Sequence, residues 1–512
     1  MKKTLTLLFL FLLGLLIYAL TIRGQSGNLG AQLIKNNLDQ ATKPFELSPE
    51  RGRYILTLSL AENRSVALNN ELAEAAYPDT GYYKGKYFIL FAPGISLLSI
   101  PFYYIGKYFN LAQVGAFSTI SLFSAINLVL IFLIAKNIFR LPTVIALFSS
   151  LVFGFASTSW SYAITMYQHH LTVFFIISSF YAVWKYRQNQ KYNWVWVTYV
   201  WIAYGLAISI DYPNALLMFP VMVYFLLSSF IVTNKKKSFQ FTIKGVSILT
   251  SIIFFVLILI QGYYNYLNFG SFTKVSGALV GAKTVKEQKL LESQKGKEEL
   301  KKKEEKKSPV GFFREQELPR SFSILFFARD RGLFLYSPIF VIALLGFFST
   351  LKKGALEKKI LLSLVFVNVF LYSSWADPWG GWAYGPRYLI PSMATLSIFV
   401  GIWLSRIKRH VVIARVLTFF LFAYSSAIAL LGALTTNQVP PKIEADYLKM
   451  KYNFFLNWDY LMDGKSGSLI FNEYISKYMT LQQYFILIFE FLIITVFVLL
   501  FVSSLFKSNN ES

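Results

Sequence analysis

Cysteine is absent from the 512-residue chain, which excludes disulfides, thiolate metal sites and a cysteine nucleophile. Charge is scarce too: Asp, Glu, Lys and Arg together make up 15% of the residues, where a soluble domain carries roughly a quarter. A disordered chain and a soluble enzyme of ordinary build are both excluded by that shortage. Acids are the rarer sign, 26 against 50 basic side chains, for a formal charge of +24. In a soluble chain such an excess suggests nucleic acid. In a membrane chain it follows from the positive bias of short cytoplasmic connections.

What is present is apolar. Hydrophobic residues reach 55% and aromatic residues 18%, and mean hydropathy is +0.48. About 280 apolar side chains suffice for a dozen membrane helices at roughly 20 residues each. Apolar runs lie near 4–22, 114–135, 142–158, 170–184, 194–210, 214–232, 244–266, 338–350, 360–374, 388–405, 411–433 and 481–506. The basic clusters Lys136/Arg140, Lys185/Arg187/Lys191, Lys235–Lys237, Lys352/Lys353/Lys358/Lys359 and Arg406/Lys408/Arg409 fall in every second connection. The expected fold is therefore all-α and polytopic, with about twelve spans, both termini cytoplasmic and an uncleaved first span. Segment 87–105 is apolar but carries Pro93, Gly94 and Pro101. Counting it as a span would put every later basic connection outside, so it reads as re-entrant or lying at the interface. Three regions follow: 1–266, a membrane module with the outer loop 23–113; 267–337, an outer loop; and 338–512, further helices with outer loops 375–387 and 434–480. The tract 282–309 holds ten Lys and six Glu between 283 and 307 and reads as a solvated insert.

Ionisable groups are nearly missing from the spans, Glu490 being the one acid well inside a run. Polar residues gather instead at the outer ends of helices, which suits chemistry at the membrane–water boundary. Glu50, in Ser48-Pro49-Glu50-Arg51-Gly52-Arg53-Tyr54, reads as a helix-start residue or a general base. Asp79 precedes a Gly-rich turn with Lys84 and Lys86, where either lysine can meet phosphate or solvent. His169 and His170 point about 100° apart on a helix, a poor chelating pair, so hydrogen bonding to sugar hydroxyls suits them better than metal. Trp379-Gly380-Gly381-Trp382-Ala383-Tyr384-Gly385-Pro386-Arg387 combines aromatic faces for sugar rings with an arginine suited to a phosphate oxyanion. Arg329 and Arg331, in Ala328-Arg329-Asp330-Arg331-Gly332, accompany it. No carboxylate cluster has an obvious metal-ligand spacing, and metal dependence stays open.

This layout resembles the GT-C class of membrane glycosyltransferases, which use polyprenyl-phosphate-linked sugars. The class includes protein O-mannosyltransferases, the aminoarabinose transferase of lipid A and rhizobial lipopolysaccharide glycosyltransferases. The resemblance rests on Glu50-Arg51-Gly52-Arg53-Tyr54, Gly85-Lys86-Tyr87 through Ala92-Pro93-Gly94, Arg331-Gly332-Leu333 with Tyr336-Ser337-Pro338, and Trp379-Gly380-Gly381 with Gly385-Pro386-Arg387-Tyr388. The chain departs from the pattern at Glu50, where the family usually has Asp, at Phe91, where it has Lys, and at His169-His170, where relatives carry a second acid. The resemblance implies sugar transfer from a polyprenyl-phosphate donor to an envelope glycan, lipid or protein acceptor outside the membrane. It further implies Glu50, then Asp79, as the acid acting on the acceptor hydroxyl. Arg387 with Arg331, Arg329 or Lys86 would take the donor phosphate, and His169, His170, Trp379 and Tyr384 would contact sugar or acceptor. A polysaccharide polymerase or ligase, and a lipid-linked-sugar flippase or transporter, remain as alternatives.

Overall fold

Backbone inside hydrocarbon has to satisfy its own hydrogen bonds, so apolar runs of this length settle as helices. The computed structural model describes residues 2–36, 45–188, 193–235, 238–243, 245–281, 313–351, 355–375, 377–407 and 412–502; the Lys/Glu-rich tract lies outside them. Among the described residues, seven helices are long and apolar enough to cross a membrane: Thr4–Thr21, Ala112–Ile138, Asn193–Ile210, Ser247–Phe269, Arg387–Leu404, Val412–Leu434 and Leu481–Phe501. The protein is thus a multi-pass, helical membrane protein.

That number is smaller than twelve for local reasons. Thr143–Phe155 and Phe219–Ser229 have 13 and 11 residues, about 20 and 17 Å at 1.5 Å per residue, short of a ~30 Å hydrocarbon core. Leu356–Ser373 begins with Glu357, Lys358 and Lys359, and His169–Arg187 ends with Lys185 and Arg187, which shortens the apolar stretch of each.

The elements that position the site are α1 (Lys2–Thr21), α2 (Ala31–Asn36), α3 (Ser48–Glu62), α4 (Asn70–Ala76), the hairpin β1 (Thr80–Tyr83) and β2 (Lys86–Ile89), α5 (Gly94–Tyr108) and α6 (Ala112–Leu133). In the hairpin Tyr83 pairs with Lys86, and Lys84 and Gly85 both have positive φ, as a two-residue primed turn requires. Segment 87–105 becomes the end of this strand, a turn at Pro93 and most of α5. One face of α5 buries Ile95, Ser96, Ser99 and Tyr103, while Leu97, Leu98, Tyr104, Ile105 and Tyr108 are exposed. Gly106 and Gly115 let α5 and α6 touch backbone to backbone: a Cβ on Gly106 would stand 2.8 Å from the Gly115 Cα.

A single apolar core runs from Leu10 on α1 through Phe225 and on to Leu500, so helices from the two halves of the chain pack as one body. Loops meet at one end of it. Arg23 N–H bonds the Ile164 carbonyl at 3.2 Å, Gly467 N–H the Leu434 carbonyl at 2.9 Å, and Leu469 N–H the Ile22 carbonyl at 2.9 Å. At the opposite end Arg187 and Tyr224 share the Glu357 carboxylate at 2.6 and 2.9 Å. Glu490 is exposed on the last long helix, on the same apolar face as Ile486, Leu487, Phe491 and Ile494.

Candidate functional site

The first turn of α3 is set by Pro49, which fits a position with no intrahelical donor, and by Glu50. The Glu50 carboxylate receives the Glu46 and Leu47 N–H groups at 2.6 and 3.3 Å and a short hydrogen bond from the Thr165 hydroxyl. It therefore satisfies orphan donors of its own helix start. The residue is 2% exposed, and burial pushes its pKa above the usual range, against the Thr165 hydrogen bond and the nearby Arg23 charge. Glu50 also lines a cavity of about 810 Å³.

Residues one and three further along α3 face elsewhere. Arg53 donates to the Pro49 carbonyl at 3.2 Å and to the Gln168 side chain at 2.8 Å, and its guanidinium lies 4.3 Å from the Phe91 ring centroid. Arg51 donates to the Tyr77 carbonyl. Between them and Arg387 sits Asp79, hydrogen-bonded to Ser48, its pKa raised by burial against the pull of Arg53, Arg51 and Arg387. Its Oδ2 is buried with no hydrogen-bond partner among the described residues. Asp211, just past the Asn193–Ile210 helix, accepts from Gln168 and faces Arg53 and Arg387; burial lifts it to about 6. Tyr167 completes the group, its ring 5.3 Å from the Arg387 guanidinium and 5.7 Å from that of Arg53.

Arg387 is aimed by a glycine-built loop. Gly380, Gly381 and Gly385 have φ of 68°, 64° and 65°, conformations that L side chains avoid, and the chain there turns its carbonyls inward. Arg387 donates to the Gly380 carbonyl at 2.6 Å. Asn368 anchors the start of the following helix, donating to the Tyr388 carbonyl at 3.0 Å and accepting from Ser392 N–H at 3.1 Å. Tyr388 stacks on Tyr372 with centroids 4.3 Å apart. The Nε–H groups of Arg51, Arg53 and Arg387 are all buried without a hydrogen-bond partner among the described residues.

The other candidates fall in different surroundings. Arg331 is fully buried, and its guanidinium donates to the carbonyls of Trp379, Asp330, Gly381 and Val439 at 3.1, 2.8, 2.9 and 3.0 Å; it holds the loop that carries Arg387. Arg329 is exposed, and Lys86 is exposed at the hairpin. His169 is buried beside Tyr167, stacked at 5.9 Å, and packs edge-on against Tyr388. His170 turns into the helices, its Nε2 2.8 Å from the Ser159 carbonyl. Tyr384 is buried, donating from its hydroxyl to the Ile428 carbonyl at 2.6 Å, while half-buried Trp379 lies 5.5 Å from the Arg320 guanidinium. Sequence reading singled out neither Arg51 and Arg53 as ligands nor Tyr167, Gln168 and Asp211. The available signal for Asp211 was an acid at the junction of two apolar runs. Among the described residues no group of three His, Asp or Glu side chains gathers as a metal-binding set.

No protein-family model and no curated protein matches the chain. Among solved structures, ArnT from Cupriavidus metallidurans in the apo state superposes with a TM-score of 0.53 at 12% identity, over 98% of this chain and 78% of ArnT. The same protein bound to undecaprenyl phosphate gives 0.48 at 11% identity over 84% and 70%. The oligosaccharyltransferase AglB from Archaeoglobus fulgidus, in complex with an inhibitory peptide and a dolichol-phosphate, gives 0.46 at 12% identity over 93% of this chain, which spans 60% of that protein's length. The superposition on apo ArnT extends over nearly the whole chain, and the protein accordingly has the GT-C fold of the membrane glycosyltransferases.

Proposed function

We propose that the protein is a glycosyltransferase that moves a sugar from a polyprenyl-phosphate donor to a hydroxyl acceptor. The observation that carries this reading is the trio Arg51, Arg53 and Arg387, each with a buried Nε–H and no hydrogen-bond partner for it among the described residues. Unpaired guanidinium donors in a water-poor site are costly unless an anion meets them. The non-bridging oxygens of a phosphodiester supply acceptors for such donors, and two carboxylates, Asp79 and Asp211, face the same arginines. The acceptor O–H attacks the anomeric carbon, the bond from that carbon to the phosphate oxygen breaks, and the proton passes to Glu50. The polyprenyl phosphate leaves with the bonding pair, its charge met by the arginines. Preorganised donors of this kind contribute several kcal/mol at the transition state. The alternation of basic connections supports a site facing outward with both termini in the cytoplasm.

The test uses the full-length protein in detergent. Native mass spectrometry with undecaprenyl phosphate should register binding that Arg387→Ala weakens by roughly 1.5–3 kcal/mol, the range for hydrogen bonds to charged groups. Incubation with a panel of undecaprenyl-phosphate sugars and glycolipids extracted from a gene-deletion strain should then release undecaprenyl phosphate. Equal binding by wild type and Arg387→Ala, or no release with any donor, would refute the reading.

A further inference from the structure

The arginine trio does not line the large cavity. The cavity is bounded by the loop after α1 (Arg23 to Ser26), by Glu46 and Glu50 ahead of and within the first turn of α3, by Thr435, Thr436 and Gln438, and by residues 460–473. Consecutive helix positions diverge by about 100°, so the first turn of α3 is a wall: Glu50 borders the cavity, and Arg51 and Arg53 stand on the side of Asp79.

The two sides of that wall differ in charge. On the cavity side Arg23 is 3% exposed and paired with Glu46. Lys465 is paired with Asp463 at 2.9 Å. Glu473 accepts a hydrogen bond from Ser26 at 2.9 Å, and Glu50 carries no cationic hydrogen-bond partner. Every cation bordering the cavity is thus matched by a carboxylate, and two further carboxylates border it. An anionic ligand would meet net repulsion there. What remains is hydroxyls, amides, backbone at Gly24, Gly464 and Gly467, and the rings of Tyr460 and Phe117. A volume of about 810 Å³ falls within the range of small-molecule sites, roughly 300–1,000 Å³.

We infer that this cavity is the acceptor chamber and that it takes the hydroxyl-rich, non-anionic end of a glycan, separate from the arginine side that takes phosphate. The inference rests on the glycosyl-transfer reading for its role but not for its ligand chemistry. A sugar in the chamber finds acceptors for its hydroxyls in Glu473 and Thr436. Its reactive hydroxyl reaches Glu50, the one acid placed at the boundary.

The experiment is saturation-transfer NMR on the full-length protein in detergent. The probes are neutral trisaccharides of glucose, mannose and N-acetylglucosamine, with a trisaccharide of galacturonic acid beside them. At least one neutral trisaccharide should bind, the uronic acid should not, and saturating undecaprenyl phosphate should leave the signal in place. Ser26→Trp, at the exposed rim of the cavity, should weaken sugar binding by about tenfold or more, roughly 1.4 kcal/mol, with undecaprenyl phosphate binding unchanged. Asn472→Trp fills the same cavity from a different loop, so the result does not depend on one variant folding. Binding of the uronic acid as well as the neutral sugars, displacement by undecaprenyl phosphate, indifference to both tryptophans, or no sugar binding at all would each overturn the assignment. Neutral sugar bound and blocked by tryptophan, with no undecaprenyl phosphate bound by wild type, would leave the sugar site standing and remove the transfer reading instead.

Discussion

Arg53 donates to the Gln168 side-chain oxygen at 2.8 Å, and the amide of the same glutamine reaches the Asp211 carboxylate. One uncharged side chain thus couples a buried cation from the first loop to a half-buried acid at the end of another helix, orienting both with no direct ion pair between them among the described residues. Protonating Asp211 would leave the arginines less opposed.

That coupling gives a pH prediction. Burial raises Asp211 from 3.8 to about 6, so its charged form is the disfavoured one. Its contribution to stability is complete below the unfolded value and is lost as pH rises through about 6. In the proposed phosphate site, ionised Asp211 would offset the arginines' attraction for phosphate. Asp211→Asn should therefore bind undecaprenyl phosphate more tightly than wild type at about pH 7.5, by about tenfold or roughly 1.4 kcal/mol, and the two should converge near pH 5. Taking the ratio of the two proteins cancels the titration of the phosphate itself. A ratio constant across that range would mean that Asp211 does not titrate there.

Arg331 yields a stability prediction opposite in kind to that for Arg387. Two of its four carbonyl contacts fix the Trp379–Gly381 loop from a fully buried position, and the others hold Asp330 and Val439. Arg331→Met keeps the length of the side chain but leaves those carbonyls unpaired, about 1–3 kcal/mol for a buried acceptor left unsatisfied. Thermal unfolding in detergent should fall by several degrees, whereas Arg387→Ala should lose donor affinity with a smaller shift. Equal melting temperatures for Arg331→Met and wild type would deny the carbonyl contacts this role.

How much of this is legible in the sequence depends on the range of the contact. Helicity and membrane insertion are local properties of apolar runs, and so are the helix start at Pro49-Glu50 and the glycine turns around Arg387. The span number is less legible, because a 13-residue apolar helix such as Thr143–Phe155 and a full span share one hydropathy signal. The partners of Arg331 cannot be read at all: they are backbone carbonyls up to 108 residues away, and any residue type supplies one. Asp211 sits in Asp211-Tyr212-Pro213-Asn214, a string that reads as an ordinary turn until Gln168 and Arg53 are brought beside it. Arg51 and Arg53 lie in the quoted motif, but only the fold sets them across the wall from Glu50.

Glu490 offers a test against the transporter alternative. It is exposed among apolar side chains of a membrane-spanning helix, where an acid is expensive and where no element of the described chain encloses a pathway around it. Glu490→Leu should leave undecaprenyl phosphate binding and transfer unchanged, with a melting temperature equal to or above that of wild type. Loss of an ion-coupled flux in vesicles on this substitution, with sugar transfer absent from wild type, would favour transport.

Under the proposed transfer reading, Glu50 and Asp79 would divide the acid roles by the faces they occupy. Glu50 borders the cavity and is fixed by two backbone N–H groups and Thr165, which holds one rotamer while leaving carboxylate lone pairs for a proton. Asp79 faces three arginines, with Oδ2 buried and without a hydrogen-bond partner among the described residues. Glu50→Gln keeps an acceptor for the Glu46 and Leu47 N–H groups, and its amide can donate to the Thr165 oxygen, so the helix start should survive. Turnover should then fall about a hundred- to ten-thousandfold, the usual range for removal of a general base, with undecaprenyl phosphate binding preserved. Asp79→Asn removes a negative charge from the arginine side, so donor binding should tighten or hold while turnover falls less steeply. Single-turnover kinetics with saturating donor separates the two, because binding then drops out of the measured rate. A full rate in Glu50→Gln beside a collapsed rate in Asp79→Asn would move the base to Asp79 and reduce Glu50 to the helix-start role that its backbone contacts already perform.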